Sequence, residues 1–237
     1  MSTPQGLNLM ILGAQSSIAS AVMKELTSHH SKIIGTHSSP LPPKSSFNSI
    51  DWQHLDLENP EGISKFLELN GKKPFDVVLN LIGKLSYLGR SANLADIAKY
   101  FNTHVTNHTY LVEQLLQLRN YQPLLYINFS SRSVTYGSND LYYSQAKSAI
   151  HCLTKSLAKL YRGSSFINLI PGLIKDSAMY LSMPENVQSD HVLRAGRPLM
   201  ELDEVGKFVV NLIHQQILNR TSEPGVCLDL RVGPQYE

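Results

Sequence analysis

Leu7-Asn8-Leu9-Met10-Ile11-Leu12 runs directly into Gly13-Ala14-Gln15-Ser16-Ser17-Ile18-Ala19, and a stretch of helical period follows to about Ser28. A short apolar run, a turn of small residues and then a helix is the signature of a strand feeding a helix N-terminus. The run is apolar on both faces, as strands buried inside a parallel sheet are. Similar runs recur at Lys32–Gly35, Trp52–Leu57, Phe75–Asn80, Leu124–Phe129, Phe166–Ile170 and Val226–Leu230. Between them, periodicity predicts helices at Ser17–Ser28, Pro60–Leu69, Ala92–Leu118, Leu141–Tyr161 and Asp203–Leu218. Strands alternating with helices build βαβ units, so the sequence predicts an α/β fold with a doubly wound parallel sheet. Right-handed crossovers then leave a crevice at the carboxyl ends of the strands, where a ligand sits. No linker or repeat divides residues 1–237, which read as a single domain.

Composition narrows the field. Of 237 residues, 42% are hydrophobic and 17% charged, which argues for a globular chain. The 21 basic and 19 acidic residues leave a net charge of +2 with no basic block, so neither nucleic acid nor a membrane is the expected partner. Met1–Gly6 has no basic n-region, and Leu7–Leu12 is too short for a signal or a span. Two cysteines, Cys152 and Cys227, cannot form a disulfide framework, so the expected compartment is the cytoplasm. Cys152 reads as a buried structural residue. No histidine pair has metal-ligand spacing, and the adjacent His29-His30 point to different faces of a helix, so no metal is expected.

The turn Gly13-Ala14-Gln15-Ser16-Ser17-Ile18 has the makings of a pyrophosphate site, because helix N-terminal amides and the helix dipole both favour an anion. With one glycine it reads equally as a plain strand-to-helix turn. The end of the second strand is Thr36-His37-Ser38-Ser39. Folds that select NAD place a carboxylate there for the ribose 2′-hydroxyl. Here His37, Ser38 and Ser39 offer hydroxyls and an imidazole with no charge to repel a 2′-phosphate, which favours NADP over NAD. Asp56, beside Leu57, either accepts from the adenine amino group or caps the next helix. Asn80-Leu81-Ile82-Gly83 lets backbone pass close to the ribose.

The fifth apolar run ends in Asn128-Phe129-Ser130-Ser131, and Tyr143 and Lys147 follow within Tyr142-Tyr143-Ser144-Gln145-Ala146-Lys147. On a helix, Tyr143 and Lys147 lie one turn apart on one face. Carbonyl reduction needs hydride on carbon and a proton on oxygen. A free tyrosine has a pKa of about 10, and a neighbouring ammonium is expected to lower it. Ser131 can hold the carbonyl oxygen.

In these motifs and their order, the chain resembles the classical short-chain dehydrogenase/reductase family over nearly its whole length. Leu12–Ala19 stands where that family has its glycine-rich turn, Asn80–Gly83 where it has Asn-Asn-Ala-Gly, and Ser131, Tyr143 and Lys147 where it has its catalytic residues. Pro171-Gly172-Leu173-Ile174 matches the turn that clasps the nicotinamide amide. Gly196-Arg197-Pro198 and Gly225–Gly233 look like the family's C-terminal region. The resemblance implies a Rossmann-type fold and an NADP-dependent carbonyl reductase or alcohol dehydrogenase. It further implies that Tyr143 exchanges the proton, that Lys147 also holds the nicotinamide ribose, and that the long helices Ala92–Leu118 and Leu141–Tyr161 pair subunits into a homodimer or homotetramer. A non-enzymatic dinucleotide sensor or scaffold on the same fold is the alternative.

Three features, at four positions, depart from the family. Ser17 and Ala19 replace glycines, His104 stands where an asparagine supports a proton relay, and Asp176 replaces a threonine that contacts the nicotinamide amide. Residues 174–198 have weak periodicity and read as a substrate lid, with Met179, Tyr180, Leu181 and Met183 lining an apolar pocket or packing the lid. The substrate is a small carbonyl or alcohol; an acyl thioester ketone, a sugar, a pterin and a steroid-like ketone all fit this reading.

Overall fold

All seven apolar runs become strands of one sheet: β1 (Asn8–Leu12), β2 (Lys32–His37), β3 (Ile50–His54), β4 (Val77–Asn80), β5 (Leu125–Phe129), β6 (Ser165–Pro171) and β7 (Cys227–Val232). Every pairing is parallel, in the order β3-β2-β1-β4-β5-β6-β7. The computed structural model describes residues 6–27, 32–39, 50–89, 91–119, 122–195, 198–219 and 225–233. His29-His30, the Pro- and Ser-rich stretch beyond Ser39, and Gly196-Arg197 lie outside the described residues.

β1 shows why the sheet is buried on both sides. Leu9 and Ile11 enter one core layer and Met10 and Leu12 the other, and all four are fully buried. The first layer is closed by α1 (Ser17–Thr27) and α9 (Leu202–Asn219), through Val22, Leu26, Val209 and Ile213. The second is closed by α2 (Pro60–Asn70), α4 (His108–Leu118) and α6 (Leu141–Leu160), through Phe66, Leu111, Leu115 and Leu157. Strand order runs outward from β1 one way and from β4 the other, so the topological switch lies between them and the crevice opens above Gly13 and residues 81–83. The register sets Leu12, Asn80, Asn128, Asn168 and Asp229 side by side in one row across five strands.

Three expectations change in the structure. Instead of one helix over Ala92–Leu118 there is α3 (Leu94–Phe101), capped by Asn93, then a π-helical segment (Asn102–Asn107), then α4. The wider turn follows from two tertiary bonds: Asn107 Nδ2 donates to the Leu57 carbonyl at 2.7 Å, and His108 Nε2 meets Asn80 Oδ1 at 3.1 Å. Residues 174–198 are less irregular than their pattern implies, since they hold α7 (Ala178–Leu181) and α8 (Glu185–Ala195). Cys152 is exposed, not buried. A short helix, α5 (Ser133–Tyr136), precedes α6. No described helix is long and apolar enough to cross a membrane.

Candidate active site

The crevice begins at Gly13, which turns the chain out of β1 with φ +76. A Cβ here would stand 3.2 Å from the Ile82 nitrogen and the Leu81 carbonyl carbon, so the β1 turn and the strand β4 exit pass too closely for a side chain. Thr36 holds the turn from β2: its Oγ1 accepts from the Gly13 amide at 2.9 Å and its carbonyl from Ala14. Ser16 Oγ caps α1 by accepting from the Ala19 amide at 3.0 Å. Ile18 packs partly buried on the core. Ser17, one of the two replaced glycines, accepts from the Ala178 amide at 3.3 Å and so ties α7 to the phosphate turn.

At the end of β2, Gln15 bridges the two loops. Its Oε1 accepts from the Ser38 amide at 2.9 Å and its Nε2 donates to Ser39 Oγ at 2.6 Å. His37 is placed differently from the sequence expectation of an imidazole beside a phosphate. Its ring is buried edge-on against Trp52 and His54, with Nδ1 2.9 Å from the Ser39 carbonyl. Ser38, Ser39 and Gln15 therefore form the polar surface at that strand end. Asp56 lies just past β3, where its Oδ1 accepts from the Glu58 amide; Asn59, not Asp56, caps α2. Leu57 is buried in the second core layer.

At the other end, Ser131, Tyr143 and Lys147 converge. β5 ends at Phe129, and Ser131 opens the turn into α5, where its Oγ accepts from the Ser133 amide and hydroxyl at 3.1 and 2.9 Å. Asp140 caps α6 by accepting from the Tyr143 amide at 3.0 Å, while its carboxylate also receives the Ser86 amide at 2.7 Å and hydroxyl at 2.5 Å. That double role pins the loop after β4 to the helix carrying Tyr143. The Ser131 hydroxyl stands near enough to the Tyr143 phenol to lower its pKa through hydrogen bonding. Lys147 Nζ donates to the carbonyls of Ile82 at 3.1 Å and Phe129 at 2.8 Å. Gly83 lies against it: a Cβ there would meet Lys147 Cε and Nζ at 2.4 Å.

Burial governs the protonation of this cluster. It pushes the Lys147 ammonium down to about 8. It also pushes the Tyr143 phenol up, against the lowering effect of the Ser131 hydrogen bond and with a smaller upward push from Asp140. The expected depression of Tyr143 by Lys147 is therefore reversed here, because desolvation of the phenolate dominates and the ammonium is directed at two carbonyls. His104 sits on the π-helical segment with its ring 4.5 Å from that of Tyr100 and its buried Nδ1 without a hydrogen-bond partner. Burial, then the Lys147 and Lys84 charges, lower its pKa to about 4, so it is neutral at pH 7.

Behind these groups runs a chain of buried amides that sequence reading missed. His108 Nε2 meets Asn80 Oδ1, Asn80 Nδ2 donates to Asn128 Oδ1 at 3.2 Å, Asn128 Nδ2 to Asn168 Oδ1 at 2.8 Å, and Asn168 Nδ2 to Asp229 Oδ1 at 3.1 Å. Asn80 Oδ1 also accepts from the Ile82 amide, whose carbonyl takes Lys147. One signal was available: β4 and β5 each carry an asparagine at or next to the carboxyl end, and β6 carries one at its centre. On the far side, Pro171 ends β6, Gly172 donates to the Val232 carbonyl at 2.8 Å, and Ile174 bridges to Met200. Asp176 holds the left-handed conformation with φ +62, which Asp tolerates better than most residues.

Searching by sequence finds no match among curated proteins. Solved structures with the same fold include a short chain dehydrogenase/reductase family protein, with 16% identity, TM-score 0.78 and 98% of each chain covered. Another is the ligand-free aldohexose dehydrogenase of Thermoplasma acidophilum, with 18% identity, TM-score 0.74, 97% of this chain covered and 94% of that one. A third is a short chain dehydrogenase family protein from Francisella tularensis subsp. tularensis SCHU S4, with 18% identity, TM-score 0.75, and 95% and 97% covered. The sequence profile of the NAD dependent epimerase/dehydratase family matches residues 9–174, a span that holds the Gly13 turn, the row of asparagines and the Ser131–Tyr143–Lys147 cluster. With this match the chain belongs to the NAD dependent epimerase/dehydratase family, and it shares its fold with short-chain dehydrogenases/reductases.

Proposed function

We propose that the protein is an NADP(H)-dependent oxidoreductase that moves hydride between the nicotinamide and a ketone or secondary alcohol. The observation that carries this reading is the convergence of Ser131, Tyr143 and Lys147 beside the close passage at Gly83. The residues present suit a dinucleotide. Gly13 keeps the crevice floor free of a side chain, α1 points its N-terminus at it, and no carboxylate stands at Ser38 or Ser39 to repel a 2′-phosphate.

Gly13, Gln15, Ser16, Ser17 and Ile18 would face the pyrophosphate. His37, Ser38, Ser39, Asp56 and Leu57 would surround the adenosine, with His37 contributing packing. Asn80, Leu81, Ile82, Gly83, Pro171, Gly172 and Ile174 would flank the nicotinamide half. When bound, the coenzyme supplies or accepts the hydride. Ser131 holds the substrate oxygen in reach of the Tyr143 hydroxyl. Burial keeps Tyr143 in its phenol form near neutral pH, which is the form that gives a proton to a carbonyl oxygen. Lys147 has three donors; two are fixed on carbonyls and the third is available to the ribose. Residues 174–198 close over the substrate as a lid, with α7 tethered through Ser17. Exposed Leu141, Leu160 and Tyr110 on α6 and α4 suit burial in a homodimer or homotetramer.

The family profile favours a second reading, in which the oxidised coenzyme would take a hydride from the substrate and return it within an epimerisation or dehydration. The test is NADPH and NADH consumption with acetoacetyl-CoA, D-fructose, acetylpterin and androstanedione, in the wild type and in Tyr143→Phe. Wild-type turnover that Tyr143→Phe abolishes supports the reductase. Turnover that survives the substitution overturns the assignment. Product formed without net coenzyme consumption points to the second reading, and coenzyme binding without turnover of any carbonyl points to a sensor.

A further inference from the structure

Tyr143, Lys147, His151 and Lys155 recur every fourth residue along α6 and so form a single stripe. The first two belong to the proposed reaction centre. His151, 7% exposed, turns instead to two other elements. Its Nδ1 lies 2.8 Å from Ser130 Oγ, at the exit of β5, and its Nε2 lies 3.4 Å from Asp229 Oδ2, on β7. The Asp229 carboxylate also receives Lys155 Nζ at 2.5 Å and Asn168 Nδ2 at 3.1 Å. A carboxylate only accepts, so this pattern assigns the imidazole proton to Nε2 and leaves Nδ1 to accept from the Ser130 hydroxyl. Hydroxyl, imidazole and carboxylate follow the order of a nucleophilic triad, but Ser130 is 4% exposed and its hydroxyl is held by the ring. No substrate reaches it, and its role is mechanical.

We propose that Ser130, His151 and Asp229 form a positioning brace that fixes the strand end bearing Ser131 against the helix bearing Tyr143 and Lys147. The proposal rests on the assignment of those three residues as the reaction centre. Ser130 stands between the two groups that matter: the Phe129 carbonyl, which takes Lys147 Nζ, and Ser131, which meets Tyr143. Its own amide is fixed on the Leu169 carbonyl of β6 at 2.8 Å. A shift at residue 130 therefore displaces the Lys147 acceptor and the Ser131 hydroxyl together, and small displacements of reacting groups are costly in rate. Because β7 holds the carboxylate, a strand that carries none of the reacting residues sets their spacing.

The experiment compares Ser130→Ala, His151→Leu, the double variant and His151→Asn, using NADPH and whichever of the four carbonyls above the wild type reduces fastest. The brace predicts kcat lower by about tenfold or more in both single variants, with KM and coenzyme affinity within about twofold. The double variant is no slower than either single one, since both remove the same link. His151→Asn, whose short amide can still accept from Ser130, recovers most of the rate. Thr154→Ala is the control for simple loosening of α6; it removes a buried hydroxyl bonded to the Ile150 carbonyl, away from the brace. In the wild type, nitrogen NMR at neutral pH should give His151 protonated on Nε2. Unchanged kcat in Ser130→Ala and His151→Leu, while Tyr143→Phe is inactive, overturns the brace and leaves the reaction centre standing. An equal loss in Thr154→Ala, or an Nδ1-protonated His151, also overturns it. If Tyr143→Phe stays active, or no carbonyl is reduced, the reaction centre itself falls and the brace has nothing to position.

Discussion

The phosphate end of the crevice and its chemical end stand on the same sheet, but different forces hold them. Beyond the buried Thr36 anchor, the links that tie the Gly13 turn to its neighbours are exposed: Gln15 to Ser38 and Ser39, and Ser17 to the Ala178 amide. Around Lys147 they are buried. Asn80, Asn128 and Asn168 are at most 1% exposed, and Lys147 itself is 8% exposed. An exposed bond that breaks is replaced by water, for a net cost of about 1 kcal/mol or less, whereas a buried one leaves an orphan that costs about 1–3 kcal/mol. Coenzyme choice can therefore change at one end without disturbing reaction geometry at the other.

The contrast is tested most severely by Gly83→Ala. The new Cβ would collide with the tip of Lys147, a flexible end that can give way, and the φ of +156 at Gly83 strains any side chain, so the ammonium is displaced and some stability is lost. Turnover is expected to fall about a thousandfold, far more than a stability loss of about 1 kcal/mol from the strained backbone accounts for. Asn128→Ala goes the other way. It leaves Asn168 Oδ1 without its donor and removes one of Asn80's acceptors. About 3 kcal/mol of stability should be lost in chemical denaturation. Ser38→Asp, at the exposed end, should lower the preference for NADPH over NADH by about tenfold in coenzyme titrations without touching kcat.

A pH-dependent effect follows from titration. Lys147 has a folded pKa of about 8 against an ordinary 10.5. Between those values the unfolded chain binds the extra proton, so stability rises with pH. Thermal melts should show the wild type gaining up to about 3 kcal/mol on Lys147→Met as pH climbs through that window. A flat difference would mean that the amine is better solvated than its position implies.

The parts of the molecule that could be read in the chain are those whose cause is local. Leu9 to Leu12 are apolar on both faces because both faces are buried, and Tyr143 and Lys147 are one turn apart wherever that segment is helical. The π-helical interruption could not be read, because its causes, Asn107 on Leu57 and His108 on Asn80, come from other elements. His37 stands where a phosphate ligand is expected, and only the fold shows Trp52 and His54 closing on its ring. The upward shift of Tyr143 could not be read for a similar reason: neighbouring charge is visible in spacing, whereas desolvation is visible only in packing. His151 and Asp229 gave no sequence signal as a pair, since nothing in the chain pattern brings α6 and β7 together.

The smallest effect belongs to Gln15, and it separates the two ends most cleanly. Gln15→Ala removes both bonds that hold residues 38 and 39 to the β1 turn, yet these bonds are exposed and water replaces them. Folding stability should change by about 0.5 kcal/mol or less, and kcat should stay at the wild-type value. What remains is local order. On the proposed reading NADPH would meet Ser38 and Ser39 with its 2′-phosphate, so relaxing them should weaken it by about threefold, whereas NADH would make no such contact and should bind as before. Isothermal titration with both coenzymes reads the difference directly. Equal weakening of the two would assign the Gln15 bridge to the pyrophosphate turn instead, because Gly13 to Ile18 face the part of the dinucleotide that NADPH and NADH share.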